Sequence, residues 1–147
     1  RKEIALAKTY KKFDPITARE AQSLALREGY KGAGWVSPNP LVGCVIVDKE
    51  HRFLSSGYHA KYGDAHAEIN ALKNVTSEEL RGGTMYVTLE PCSHHGKTPP
   101  CADRVALEPL KKVVVGVKDP NPLVSGRGLE LLRKNKIQVE FDSDFSE

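Results

Sequence analysis

Runs of β-branched residues alternate with stretches of helical spacing along most of this chain, and that alternation limits the folds open to it. Residues 42–48 are an unbroken apolar strand pattern, and residues 52–58 read as its hairpin partner across 49–51, with His51 at the tip. Residues 84–89 form a central strand. Residues 113–117 are almost all valine, the mark of a parallel strand covered on both faces. Between and after them, Ala67, Ile69, Ala71 and Leu72 give residues 66–74 an apolar helical face, residues 102–107 follow Cys101 as a helix, and residues 128–135 are helical before a last strand at 137–141. Nearer the start, Asp14-Pro15 opens a helix whose face is Ile16, Ala21, Leu24 and Ala25 and whose stop is Gly29. Strands and helices in this order predict an α/β fold of three α/β/α layers around a mixed sheet. Ser37-Pro38-Asn39-Pro40 is irregular, because each proline denies its neighbour helical backbone.

With 147 residues, 39% hydrophobic and 28% charged, the composition is that of one globular domain. No stretch approaches the roughly 20 apolar residues of a membrane span, and Arg1 to Lys12 lacks the apolar core of a secretory signal, so a cytoplasmic location is expected. A chain starting at Arg reads as trimmed or as an excised domain. Five cations against Glu3 give the first twelve residues a charge of +4, and the last eight carry −4. Residues 1–13 are therefore read as a basic extension, 14–141 as the folded domain and 142–147 as an acidic tail. Solvated terminal charge explains the basic segment better than nucleic acid does.

Three cysteines in a chain without secretory features argue for metal or thiol chemistry over disulfides. Cys44, inside the run Leu41-Val42-Gly43-Cys44-Val45-Ile46-Val47, is a buried small hydrophobe. Cys92 and Cys101 sit among Pro, His, Gly and Lys. Together with His66-Ala67-Glu68 they compose one imidazole, one carboxylate and two thiols. His66, Cys92 and Cys101 make three zinc ligands and leave a fourth tetrahedral position open, while Glu68 is placed to carry protons. His-x-Glu followed by Pro-Cys and a second Cys is the pattern of zinc nucleobase deaminases, although eight residues separate the cysteines here. A closed structural site with His94 or His95 as fourth ligand is the alternative, and the non-ligand Glu68 counts against it. Taken alone, Asn39 is a turn residue, His59 a surface or core histidine, Lys97 solvated and Arg127 part of a plain loop. Asn74-Val75-Thr76 matches a glycosylation acceptor without meaning in the cytoplasm.

The run Thr88-Leu89-Glu90-Pro91-Cys92-Ser93-His94-His95-Gly96-Lys97-Thr98-Pro99-Pro100-Cys101 closely resembles the deaminase domain of bifunctional riboflavin-biosynthesis deaminase/reductases. So do Ser37-Pro38-Asn39-Pro40-Leu41-Val42-Gly43, Gly57-Tyr58-His59, Ala65-His66-Ala67-Glu68, and the block from Asp119-Pro120-Asn121 to Gly126-Arg127-Gly128. The resemblance implies a cytidine-deaminase-like fold, one Zn2+ per chain on His66, Cys92 and Cys101, and Glu68 as proton shuttle. It implies hydrolytic removal of the ring amino group of a diaminohydroxypyrimidine ribotide, early in riboflavin biosynthesis. Asn39, His59 and His94 would contact the pyrimidine, Asp119 and Asn121 the ribose side, and Lys97 and Thr98 the phosphate. In that family a reductase domain follows the deaminase. No second domain or NADPH site is expected in this chain, so a reductase would be a separate partner, and assembly into a homo-oligomer is expected. The rival readings are a deaminase of another base, nucleoside or tRNA, and a zinc-stabilised nucleic-acid-binding module.

Overall fold

A computed structural model describes residues 9–30, 42–58, 67–89, 101–117 and 127–142. They form α1 (Ala18–Tyr30), β1 (Gly43–Val47), β2 (Phe53–Tyr58), α2 (Ala67–Leu72), α3 (Ser77–Leu80), β3 (Thr84–Leu89), α4 (Cys101–Ala106), β4 (Lys112–Val117), α5 (Arg127–Lys134) and β5 (Gln138–Phe141). The strands join in one sheet in the order β2-β1-β3-β4-β5. β1 is antiparallel to both β2 and β3, whereas β3, β4 and β5 run parallel. The sheet is therefore mixed, with β3 at its centre.

Alternation along the strands divides the core in two. Cys44, Ile46, Met85, Val87, Val113 and Val115 face α2, α4 and α5, and Val45, Val47, Tyr86 and Val114 face α1. These are the expected three α/β/α layers. Ile46 and Met85 are wholly buried, and truncating either to alanine would cost about 2–5 kcal/mol.

Three local expectations are corrected. The first helix starts at Ala18 rather than at Asp14-Pro15. The backbone N–H of Glu20 donates to Thr17 Oγ1 (3.1 Å) and that of Thr17 to Glu20 Oε1 (3.0 Å), a reciprocal cap. Asp14 instead accepts from the Lys11 N–H, and Pro15 bridges to Arg52 against the hairpin. Arg127, expected in a loop, begins α5. Gly29 does not stop α1, which runs one residue further. Its missing Cβ matters for packing, since that atom would stand 3.1 Å from Gly43 N on β1.

Helix α3 has no counterpart in the expected elements. Thr76 accepts from the Glu79 N–H, and Glu79 accepts from the Thr76 N–H, so the threonine of the nominal glycosylation motif is a helix cap. His51 stands at the end of the hairpin turn with φ 62. Its side chain is not merely a tip: Nδ1 meets the Ile16 carbonyl, and Nε2 lies 2.6 Å from the Tyr86 hydroxyl. The expected irregular segment around Asn39 lies outside the described residues.

Candidate active site

One end of the sheet gathers the chemistry. β1 begins where β2, β3 and β4 end: Gly43 pairs with Tyr58, Leu89 with Val117, and the Gly43 N–H donates to Thr88 Oγ1 at 3.1 Å. Residues 31–41, 59–66, 90–100 and 118–126 all join the described chain at this end, and they themselves lie outside the described residues. Asn39 is on the first of them, His59 and His66 on the second, Cys92, His94, Lys97 and Thr98 on the third, Asp119 and Asn121 on the fourth. Cys101 is the first residue of α4, reached from the end of β3. Strand ends opening toward helix starts are where open α/β sheets place their ligands.

Glu68 is the candidate residue whose side chain is described. It lies in the first turn of α2 and is 3% exposed, one of the buried charged groups among the described residues. A buried carboxylate is costly to keep unless it is paired or hydrogen-bonded. Helix α2 lies close against β2: Ser55 Oγ donates to the Ala71 carbonyl (2.7 Å), Asn70 Nδ2 donates to the Tyr58 carbonyl (2.7 Å), and Gly57 leaves room where a Cβ would stand 2.6 Å from the Ala67 oxygen. Sequence reasoning missed the parts played by Ser55 and Asn70. For Gly57 there was a signal, because a glycine inside a strand pattern marks a close backbone approach.

Cys44 is fully buried on β1, between Gly57 and Val87 of the flanking strands. Burial, and then the charge of Glu68, push its thiol well above the ordinary value of 9.0. It therefore stays protonated near neutral pH and is a poor metal ligand. The zinc donors expected from the sequence are His66, Cys92 and Cys101. One imidazole and two thiols suit that metal.

Residues 17–117 match the family model for the cytidine and deoxycytidylate deaminase zinc-binding region. The diaminohydroxyphosphoribosylamino-pyrimidine deaminase of Buchnera aphidicola subsp. Schizaphis graminum is 49% identical over 116 residues, which cover 79% of this chain and 78% of that protein. The chain belongs to the diaminohydroxyphosphoribosylamino-pyrimidine deaminase family. Its zinc-binding deaminase domain is also similar to part of longer proteins. The riboflavin biosynthesis protein RibD of Actinobacillus pleuropneumoniae is 49% identical over 127 residues, 86% of this chain but 33% of RibD. The solved structure of Acinetobacter baumannii RibD superposes with a TM-score of 0.80 at 43% identity, over 84% of this deaminase chain and 34% of that one. The chain thus spans about a third of the length of these RibD proteins. The chain accordingly has the expected cytidine-deaminase-like fold. Among the described residues, no helix is long and apolar enough to cross a membrane.

Proposed function

We propose that this chain catalyses the hydrolytic deamination of a diaminohydroxypyrimidine ribotide, yielding the aminouracil ribotide and ammonia for riboflavin biosynthesis. The observation that carries the reading is Glu68, 3% exposed in the first turn of α2, two residues after His66 in the motif that proposes it as the proton carrier.

His66, Cys92 and Cys101 would hold one zinc. When bound, that metal supplies the Lewis acidity that makes water acidic enough to ionise near neutral pH. Glu68 accepts the proton that the attacking water loses and delivers it to the ring nitrogen next to the amine-bearing carbon. It then takes the remaining proton from the hydroxyl added to that carbon and gives it to the amine as the carbon–nitrogen bond breaks, so a carbonyl replaces the amidine and ammonia leaves. Asn39, His59 and His94 orient the pyrimidine, Asp119 and Asn121 the ribose, and Lys97 and Thr98 the phosphate. A reductase, fused in longer relatives of the resembled family or separate from this chain, would consume the product.

Ammonia release from the diaminohydroxypyrimidine ribotide, with metal-stripped protein as control, tests the proposal. Release that depends on added zinc is the expected result. A protein that holds one zinc but releases ammonia only from cytidine, guanine or adenosine-containing RNA would assign it to another deaminase class. Salt-sensitive nucleic-acid binding with no ammonia from any pyrimidine would replace the enzyme reading with a binding module.

A further inference from the structure

Helix α2 has six residues, too few to hold itself in water, so the place of Glu68 depends on what the helix rests on. It rests on β2, and β2 faces it only because of an irregularity. Val47 pairs with Phe53 and Ile46 with Ser55, which leaves Leu54 as an extra residue in the ladder. Phe53 packs on the α1 side of the sheet and Leu54 on the α2 side. Strict alternation from there would turn Ser55 and Gly57 back toward α1. The bulge resets the phase, and both residues meet α2 instead. Gly57 lies under the helix, where a Cβ would stand 2.6 Å from both the Ala67 oxygen and the Ala71 nitrogen. Ser55 Oγ donates to the Ala71 carbonyl at 2.7 Å, and Asn70 ties the helix to the end of β2 through the Tyr58 carbonyl.

We propose that the β2 bulge, and the seat of Gly57 and Ser55 that it creates, is a positioning device that sets the height and roll of α2 and so aims Glu68. The inference rests on the deaminase reading of Glu68. Gly57 and Ser55 are positioning residues in this scheme, since they act through the helix backbone and touch no reacting atom. Both atoms crowding a Cβ at position 57 belong to the backbone, so an alanine there must lift the helix by roughly an ångström, a misplacement that can cost about a hundredfold in rate.

The test compares zinc-loaded wild type, Gly57→Ala and Ser55→Ala. It reads kcat and KM for ammonia release, zinc per chain, and amide hydrogen exchange along the backbone. Gly57→Ala should lose about a hundredfold in kcat with KM held within about twofold and zinc retained. Its α2 amides should exchange about tenfold faster or more, with β3 and β4 unchanged. Ser55→Ala adds no atom, should lose less in the same direction, and carries the test if Gly57→Ala does not fold. Unchanged kcat with zinc retained would overturn the proposal, as would a uniform rise in exchange across the sheet, the mark of a merely structural role. Loss of zinc in both variants would also overturn it, because the seat would then serve the metal ligands instead of Glu68. If wild type releases no ammonia, the deaminase reading fails and exchange decides alone: unchanged α2 amides in both variants would sink the seat.

Discussion

Cys44 and Cys101 differ in chemistry because their surroundings do. Cys44 is walled into the sheet beside Glu68 and kept protonated by burial and by that neighbouring charge, whereas Cys101, a proposed zinc ligand, is the first residue of a helix. Cys44→Ala should therefore retain zinc and lose only packing, while Cys92→Ser or Cys101→Ser should lose the metal, as metal analysis would read. Full zinc in both serine variants would mean the ligand set is wrong. Glu68→Gln keeps the shape of the side chain and removes its ability to take a proton. Zinc should stay, and kcat should fall by about two to four orders of magnitude. Turnover near that of wild type would remove Glu68 from the proton path. These proposed roles rest on His-x-Glu and Pro-Cys, which are sequence-local patterns. The burial of Glu68 was not legible, since it depends on how α2 packs against the sheet.

Short elements here survive on caps and on their neighbours. The Thr17/Glu20 pair starts α1, and the Thr76/Glu79 pair starts α3, where Lys12 Nζ adds an ion pair to Glu79 at 2.9 Å. Thr17→Ala should lower stability by about 1 kcal/mol, read as an earlier thermal midpoint with deamination unaffected at low temperature. An unchanged midpoint would show that α1 is held by its packing alone. Both caps fit the Thr-x-x-Glu signature and could have been read from sequence. Asp14-Pro15 was the more conspicuous start signal, but the N–H groups of Phe13 and Ile16 donate to the Phe53 and His51 carbonyls. Pairing with β2 took this segment out of the helix. A local pattern cannot register that competition, because the partner strand lies some forty residues away in sequence.

Across the molecule, the layer between α1 and the sheet carries a polar network. His51 links the Ile16 carbonyl to the Tyr86 hydroxyl, and Gln22 Nε2 donates to Asp142 Oδ2 at 2.8 Å just beyond β5. Burial, and then the negative charges of Glu140 and Asp142, push the Tyr86 phenol from 10.0 up to about 12. Between these values the folded chain keeps a proton that the unfolded chain has lost, so stability falls as pH rises through that window. The contribution lost is of the order of 2 kcal/mol. Tyr86→Phe should be less stable by about 1 kcal/mol near pH 9, through the missing bond to His51, and should lose less stability between about pH 9 and about pH 11.5. Urea unfolding at the two pH values checks this, and parallel declines would show that Tyr86 does not set the alkaline limb.

Strand and helix succession and the two-sided burial of the valine-rich strands were determined by the sequence alone, and so was the proposal that His66, Glu68, Cys92 and Cys101 act together, because periodicity and motif spacing are properties of neighbours along the chain. Where Glu68 sits, why Gly29 is a glycine, how one extra residue in β2 turns Ser55 toward α2, and that Cys44 stays a neutral thiol were decided only by the tertiary structure. Each depends on an atom from a distant segment coming within contact distance, and until the sheet closes the chain contains no such neighbour.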